Sequence, residues 1–144
     1  MKTVALRFSD RFAPSEGTIK AHENLIKKNG FVWYGKLGLP LSQKAIDYIK
    51  ENSDPKILLI HSGKAARYWA HITEVLKEEP ESNGIPSYYR ENREMFKTWF
   101  KVVEFETAPK DIMGNCTVIS SGQTLGEVSK HSMSPYFIIE VEGE

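Results

Sequence analysis

Tryptophan and tyrosine side chains gather in three short segments of this chain, and these residue types hold flat ligands by stacking. The first segment lies between two glycines in the stretch NGFVWYGK, residues 29–36. The paired aromatics are Trp33 with Tyr34, Tyr68 with Trp69, and Tyr88 with Tyr89. Stacking of a nucleic-acid base on such a ring contributes about 1–3 kcal/mol. The alternative is that the rings only fill a bulky core, which is the ordinary use of any single one of them.

Basic residues accompany each aromatic segment, although the chain as a whole carries no net charge. Lys and Arg total 19 and are balanced by 19 Asp and Glu. This balance argues against a protein that grips polyanions over its whole surface, but it is compatible with a local basic patch. The basic residues nearest to the aromatics are Lys27, Lys28, Lys36, Lys64, Arg67, Arg90, Arg93 and Lys97. We therefore predict one basic face around one aromatic pocket.

The histidines and the single cysteine, at positions 22, 61, 71, 116 and 131, give little support for catalysis or metal binding, since no pair has metal-ligand spacing. His61 and Ser62 are adjacent, so on an extended chain their side chains point to opposite faces. His71-Ile72-Thr73 has the H-x-T form of two-histidine phosphoesterases, but Met133 stands where the second motif needs a hydroxyl. We expect no metal and no cofactor. A small hydrolase or phosphoesterase with His61 or His71 as general base stays as an alternative.

Length and composition predict one small domain outside the membrane. The 144 residues suffice for one hydrophobic core, and 40% of them are hydrophobic. A single cysteine argues against a disulfide framework and suits a reducing compartment. The chain has no apolar run of about 18 residues, and Arg7 and Asp10 interrupt any signal-peptide core. We expect a soluble cytoplasmic protein with no membrane partner.

Hydrophobic periodicity and turn residues predict some six strands with two or three helices between them. The strands cover 3–8, 57–60, 67–76, 97–106, 116–120 and 136–141, with another entered after the Asn29-Gly30 helix stop. The helices cover 18–28, 43–52 and a turn at about 123–130, and 77–92 reads as a long surface loop. This pattern favours an α+β barrel over a parallel sheet.

The order of these segments resembles the PUA-like superfamily, specifically its YTH and EVE branch, whose members read modified bases. Gly30-Phe31-Val32-Trp33 is similar to a turn of that branch, and residues 57–63 with 68–75 are similar to its hairpin. Tyr88-Tyr89 and Trp99 occupy the places of its aromatic loop and following strand, while the turn at 120–125 lacks the arginine of the family. The resemblance runs from about residue 2 to 141. It implies a single PUA-like domain over 1–144, a mixed β-barrel of about six strands with two to three flanking helices.

The resemblance also implies a pocket for one flipped base. The implied base-binding residues are Trp33 as one wall, Tyr88 or Tyr89 as the other, Tyr34 through its backbone, and His61 and Ser62 as hydrogen-bonding groups. Without the family's arginine, phosphates would be contacted by Lys36, Lys64, Arg67 or Arg90.

The predicted function is therefore a binding module rather than an enzyme. It would hold a methylated base of DNA or RNA in an aromatic cage and act with an effector such as a nuclease. A peptide or small-ligand interaction domain is the other alternative. The sequence leaves open the choice of DNA or RNA, the modification and the oligomeric state.

Overall fold

The computed structural model describes residues 1–81 and 83–143 of the chain. Within these ranges, one seven-stranded sheet combines with three α-helices and two 3₁₀ helices. None of the described helices has both the length and the apolar character that crossing a membrane requires.

The elements follow the order that the sequence predicts. The strands are β1 (Lys2–Phe8), β2 (Val32–Leu37), β3 (Lys56–His61), β4 (Arg67–Leu76), β5 (Phe96–Thr107), β6 (Cys116–Val118) and β7 (Tyr136–Val141). The helices are α1 (Thr18–Asn29), α2 (Gln43–Lys50) and α3 (Leu125–His131), and the 3₁₀ helices cover Ser87–Met95 and Ile112–Gly114. The predicted surface loop is wrong in part, because its second half belongs to the first 3₁₀ helix, Ser87–Met95.

The strand order is β2-β5-β4-β3-β1-β7-β6. Neighbouring strands are antiparallel except β1 and β3, which run parallel with Ala5 opposite Leu58. The α+β class is confirmed and the sheet is mixed as predicted; its seven strands correspond to the seven predicted segments, one more than the approximate total of six. The described pairings leave β2 and β6 at opposite ends of the order and do not close the sheet into a barrel.

The free edge of β2 is covered by the segment that precedes β5. The N–H of Trp33 donates to the carbonyl oxygen of Gly84 at 2.8 Å, and the N–H of Gly35 donates to the Tyr89 hydroxyl at 3.2 Å. These bonds satisfy donors that an edge strand otherwise leaves to solvent. The segment thus seals the edge of the sheet and brings Tyr88 and Tyr89 beside β2.

A bulge in β4 interrupts the alternation of its side chains. Strict alternation places Val75 on the same face as Trp69. The register with β5 shifts between Ile72 and Glu74, and a bulge of this kind adds one residue and reverses the faces that follow. Val75 therefore joins the buried cluster of Ile72, whereas Trp69 lies in a different one.

Helix α1 begins and ends on backbone features that position its inward face. Its N-cap is Gly17, and the N–H of Thr18 donates instead to Oδ1 of Asp10 at 2.9 Å. At the other end Gly30 has φ 85°, the left-handed conformation that the Asn-Gly stop predicts. His22 is buried on the inward face, as its spacing indicates.

Candidate functional site

A pocket of about 300 Å³ opens where β1 and β2 meet the start of α1 and the first 3₁₀ helix. Six of its seventeen lining residues are aromatic, and a few polar side chains lie among the rings. The aromatic lining residues are Phe8, Phe12, Tyr34, Tyr88, Tyr89 and Phe96, and the polar ones include Thr18, Lys36, Ser62 and Asn92. A concave, mainly apolar site with a few polar groups is the usual form of a small-ligand pocket.

A buried hydrogen-bond chain fixes the inner wall of the pocket. Nδ1 of His22 lies 2.8 Å from the Thr18 carbonyl oxygen, so this nitrogen carries the proton and donates. Nε2 then accepts from the Tyr89 hydroxyl at 2.9 Å, and the same hydroxyl accepts the N–H of Gly35. Burial lowers the pKa of His22 to about 4, so the ring is neutral at pH 7. This chain of hydrogen bonds connects α1, the first 3₁₀ helix and β2 behind the pocket.

Asp10 organises the rim of the pocket beside the end of β3. Besides the Thr18 N–H, it accepts a hydrogen bond from Nε2 of His61 at 2.7 Å. Nδ1 of His61 accepts the N–H of Gly63 at 2.9 Å. The Thr18 N–H, followed by His61, outweighs burial and holds the pKa of Asp10 below its usual value. Both nitrogens of His61 are therefore engaged, and neither is free to activate Ser62.

Two tyrosine hydroxyls remain protonated inside the pocket. Burial raises the pKa of Tyr88 to about 12 and moves the pKa of Tyr34 further above its usual range. The Tyr34 hydroxyl makes no hydrogen bond with other described residues, which leaves it available to a ligand. The backbone of Tyr34 pairs with Phe100 in the sheet, so the side chain of Tyr34, rather than its backbone, presents the hydrogen-bonding group.

Lys36 lies in the wall of the pocket rather than on an outer surface. Lys36 is only 6% exposed to solvent. Nζ donates to the carbonyl oxygens of Leu39 at 2.6 Å and Leu37 at 3.2 Å, and it lies 5.2 Å from the centre of the Tyr136 ring. Burial lowers the pKa of Lys36 from its ordinary value. Lys36 therefore belongs to the pocket lining, and its buried position differs from that of a surface lysine that contacts phosphates.

Trp33 does not line the pocket, although the resemblance implied that it would. Its side chain is 4% exposed and packs with Trp99 and Tyr89 in a buried cluster. Its indole N–H has no acceptor among the described residues. Trp33 alternates with Tyr34 along β2, so only one of the two can point towards the pocket, and that one is Tyr34.

The other predicted phosphate contacts differ in position. Lys64 and Arg90 are exposed; Lys64 lies two positions after the lining residue Ser62, and Arg90 directly follows the lining residue Tyr89. Arg67 is half-buried and lines a second cavity, with Lys110, at the β4 and β5 ends. Lys64 and Arg90 are therefore the two that lie beside the pocket.

His71 does not form a catalytic centre with the pocket. Nε2 lies 2.7 Å from Glu106 and Nδ1 lies 3.3 Å from Asp54. Burial opposes protonation, but the hydrogen bonds to Glu106 and Asp54 raise the pKa of His71 overall. Across residues 1–81 and 83–143, no three acidic, histidine or cysteine side chains come together as a metal site.

Sequence reasoning missed several residues of the pocket, among them Phe12 and Asn92 as well as Phe8, Thr18 and Phe96. Phe12 is 57% exposed at the pocket and has the guanidinium of Arg11 over its ring at 5.2 Å. An exposed Phe in a Pro/Ser/Gly-rich loop was the available signal for Phe12. No pattern marked Asn92, because the prediction placed it in an unstructured loop.

Gly35 keeps the pocket wall in shape, and Gly35→Ala is expected to destabilise the protein by about 1–3 kcal/mol. An added Cβ would lie 2.7 Å from the Phe96 ring, which stacks on Tyr89 at 4.4 Å between ring centres. Urea denaturation measures the loss. Gly114→Ala is the matched control, because its Cβ meets nothing within 4 Å. Equal stability of the two variants would contradict this account of Gly35.

The comparisons with known proteins agree with the fold. A family model described as Pua-like matches residues 4–134, a range that contains every aromatic residue of the pocket. No curated protein matches the chain, and no solved structure matches it. PUA-like domains generally bind RNA or DNA. Because the match covers most of the 144 residues, the chain belongs to the PUA-like family.

Proposed function

We propose that this PUA-like domain binds DNA or RNA by taking one flipped base into the pocket between β2 and the first 3₁₀ helix. The observation that carries the proposal is the pocket itself, an aromatic cavity of about 300 Å³ with a small set of hydrogen-bonding groups. Removing a base from its stack costs a few kcal/mol, and stacking in the pocket offsets that cost.

The rings that meet the base are those of Tyr88 and Phe12, on opposite chain segments of the lining. The Tyr34 hydroxyl, Ser62 and Asn92 supply hydrogen bonds to the base edge. Trp33 supports this wall from behind, through its packing against Tyr89. This assignment keeps the aromatic pocket of the YTH and EVE branch but exchanges the residue that forms its first wall.

Exposed basic side chains beside the pocket hold the flanking phosphates. Lys64 follows Ser62 in the turn after β3, and Arg90 follows Tyr89 in the 3₁₀ helix. Contacts of this type position the nucleic acid without reading its sequence. Arg67, on the second cavity, would contact a phosphate further along the strand.

A methyl group on the base gives selectivity by filling an apolar part of the aromatic wall. Phe8 and Phe96 provide apolar surface in the lining. Recognition of a modified base would place the protein with the YTH and EVE type and would suit a nuclease partner that acts on marked nucleic acid.

Titration with methylated and unmethylated oligonucleotides at two salt concentrations tests the proposed function. We expect binding that is tighter for a methylated base and that weakens steeply as salt rises, because phosphate contacts release counterions. Absence of binding to either oligonucleotide below about 1 mM would remove the proposal, since flipped-base readers recover at least this affinity from stacking and phosphate contacts. Binding that ignores salt would favour a peptide or small-ligand site.

A further inference from the structure

The lining of the pocket carries positive charge and no acidic side chain. Arg7 and Lys36 are its two charged residues, and neither Asp nor Glu is among the lining residues. The guanidinium of Arg7 turns away, towards the carbonyl oxygens of Ser129, Ser132 and Ser134. Lys36 is therefore the lining cation whose side chain shares the pocket face of β2 with Tyr34.

The charge of Lys36 is stabilised but not neutralised. Its ammonium donates to the carbonyl oxygens of Leu37 and Leu39, which are dipoles without net charge. No described carboxylate forms an ion pair with it. Asp10 is the carboxylate next to the pocket, and both of its oxygens are occupied by Thr18 and His61.

Aromatic walls alone would favour a positively charged base. A methylated base with a fixed positive charge gains from the faces of aromatic rings. A like charge held in the wall of the same pocket opposes it, and salt and solvent screen that repulsion less for a buried group than for an exposed one.

We infer that Lys36 makes the pocket selective for neutral modified bases and excludes bases that carry a fixed positive charge. The inference rests on the proposed function and names the class of base that the site accepts. Lys36 sets this specificity through its charge. A long neutral side chain at the same position would therefore remove the specificity.

Binding of four oligonucleotides of one sequence tests the inference. Two carry a neutral base, 5-methylcytosine or N6-methyladenine, and two carry the cationic isomers, N3-methylcytosine or N1-methyladenine. We expect the wild-type protein to bind each neutral form at least about tenfold more tightly than its cationic isomer. Equal or tighter binding of the cationic isomers overturns the inference, and this comparison needs no variant.

Lys36→Met separates charge from the position of the methyl group. Methionine is long and apolar enough to fill the same space, so the preference for neutral bases should shrink about tenfold in this variant. Lys50→Met, an exposed lysine of α2 outside the lining, should keep the wild-type preference. If a folded Lys36→Met protein keeps the full preference for neutral bases, the shape of the pocket alone sets that preference and the inference is overturned. Lys36→Gln replaces Lys36→Met in this test if Lys36→Met does not fold. If none of the four oligonucleotides binds, the proposed function fails and the inference with it, whereas binding without discrimination removes the inference alone.

Discussion

Acidification from pH 7 to about 4 is expected to lower the free energy of unfolding by about 3 kcal/mol through His22 alone. The folded protein holds the pKa of this ring at about 4, below the ordinary histidine value of 6.5. Between these values the unfolded chain binds the proton and the folded protein does not, so stability rises with pH across this window and is lost below it. The physical cause is burial, which outweighs the opposing effect of the hydrogen bond to the Thr18 carbonyl oxygen.

Urea denaturation at a series of pH values from 4 to 7 measures this effect. His22→Gln keeps a polar side chain but cannot take up a proton, so the variant should lose this part of the pH dependence whatever its absolute stability. The contribution of His71 to the free energy of unfolding depends on pH in the opposite direction. Because the pKa of His71 is raised in the folded protein, its stabilising contribution is lost as the pH rises above about 6.5. His71→Gln should therefore leave the slope between pH 4 and 6 in place. A wild-type slope that persists unchanged in His22→Gln would contradict the assignment.

Tyr88→Ala is expected to weaken oligonucleotide binding by about tenfold to a hundredfold, which corresponds to the loss of one base–aromatic stack. Tyr88 lines the pocket from the 3₁₀ helix and is half-buried. Tyr88→Phe keeps the ring and should retain most of the affinity, because the stacking face is unchanged. Fluorescence polarisation with a methylated oligonucleotide measures both variants.

Tyr48→Ala is the control for the Tyr88 series. Tyr48 lies on α2, where the ammonium groups of Lys2 and Lys44 approach its ring, and it is not part of the pocket lining. This variant should bind as the wild type does. Wild-type affinity in a folded Tyr88→Ala protein would show that Tyr88 does not meet the base.

Local sequence signals predicted the elements well because the relevant forces are local. The Asn29-Gly30 stop depends on a few neighbouring residues and is confirmed by the left-handed conformation of Gly30, and the Ser42 side chain caps α2 by an equally local hydrogen bond. Lys36 shows the limit of such signals. Its burial depends on a carbonyl pair in the following turn and on Tyr136, which lies one hundred positions away in the chain.

The aromatic stretch in β2 shows why the site was harder to predict than the fold. Composition marked Trp33 and Tyr34 together, but alternation allows only one of them to face the pocket. Whether Trp33 or Tyr34 faces the pocket depends on how residues 84–89 pack along the edge of β2. This packing is a long-range contact that no sequence motif indicates. The 3₁₀ helix was equally hidden, since its polar sequence reads as a loop. The sequence thus marked segments that contribute to the pocket lining, but within β2 the lining residue is Tyr34 and not Trp33.

The central claim is that one base enters the pocket, and an abasic oligonucleotide tests it most directly. The comparison uses two oligonucleotides, in DNA and again in RNA, that share every phosphate and differ only in whether the target position carries its base. The account predicts that the oligonucleotide with the base binds at least about tenfold more tightly, and that Tyr88→Ala removes most of this difference. Equal affinity for the abasic and the intact oligonucleotide would contradict the account, because the backbone alone would then carry all of the binding.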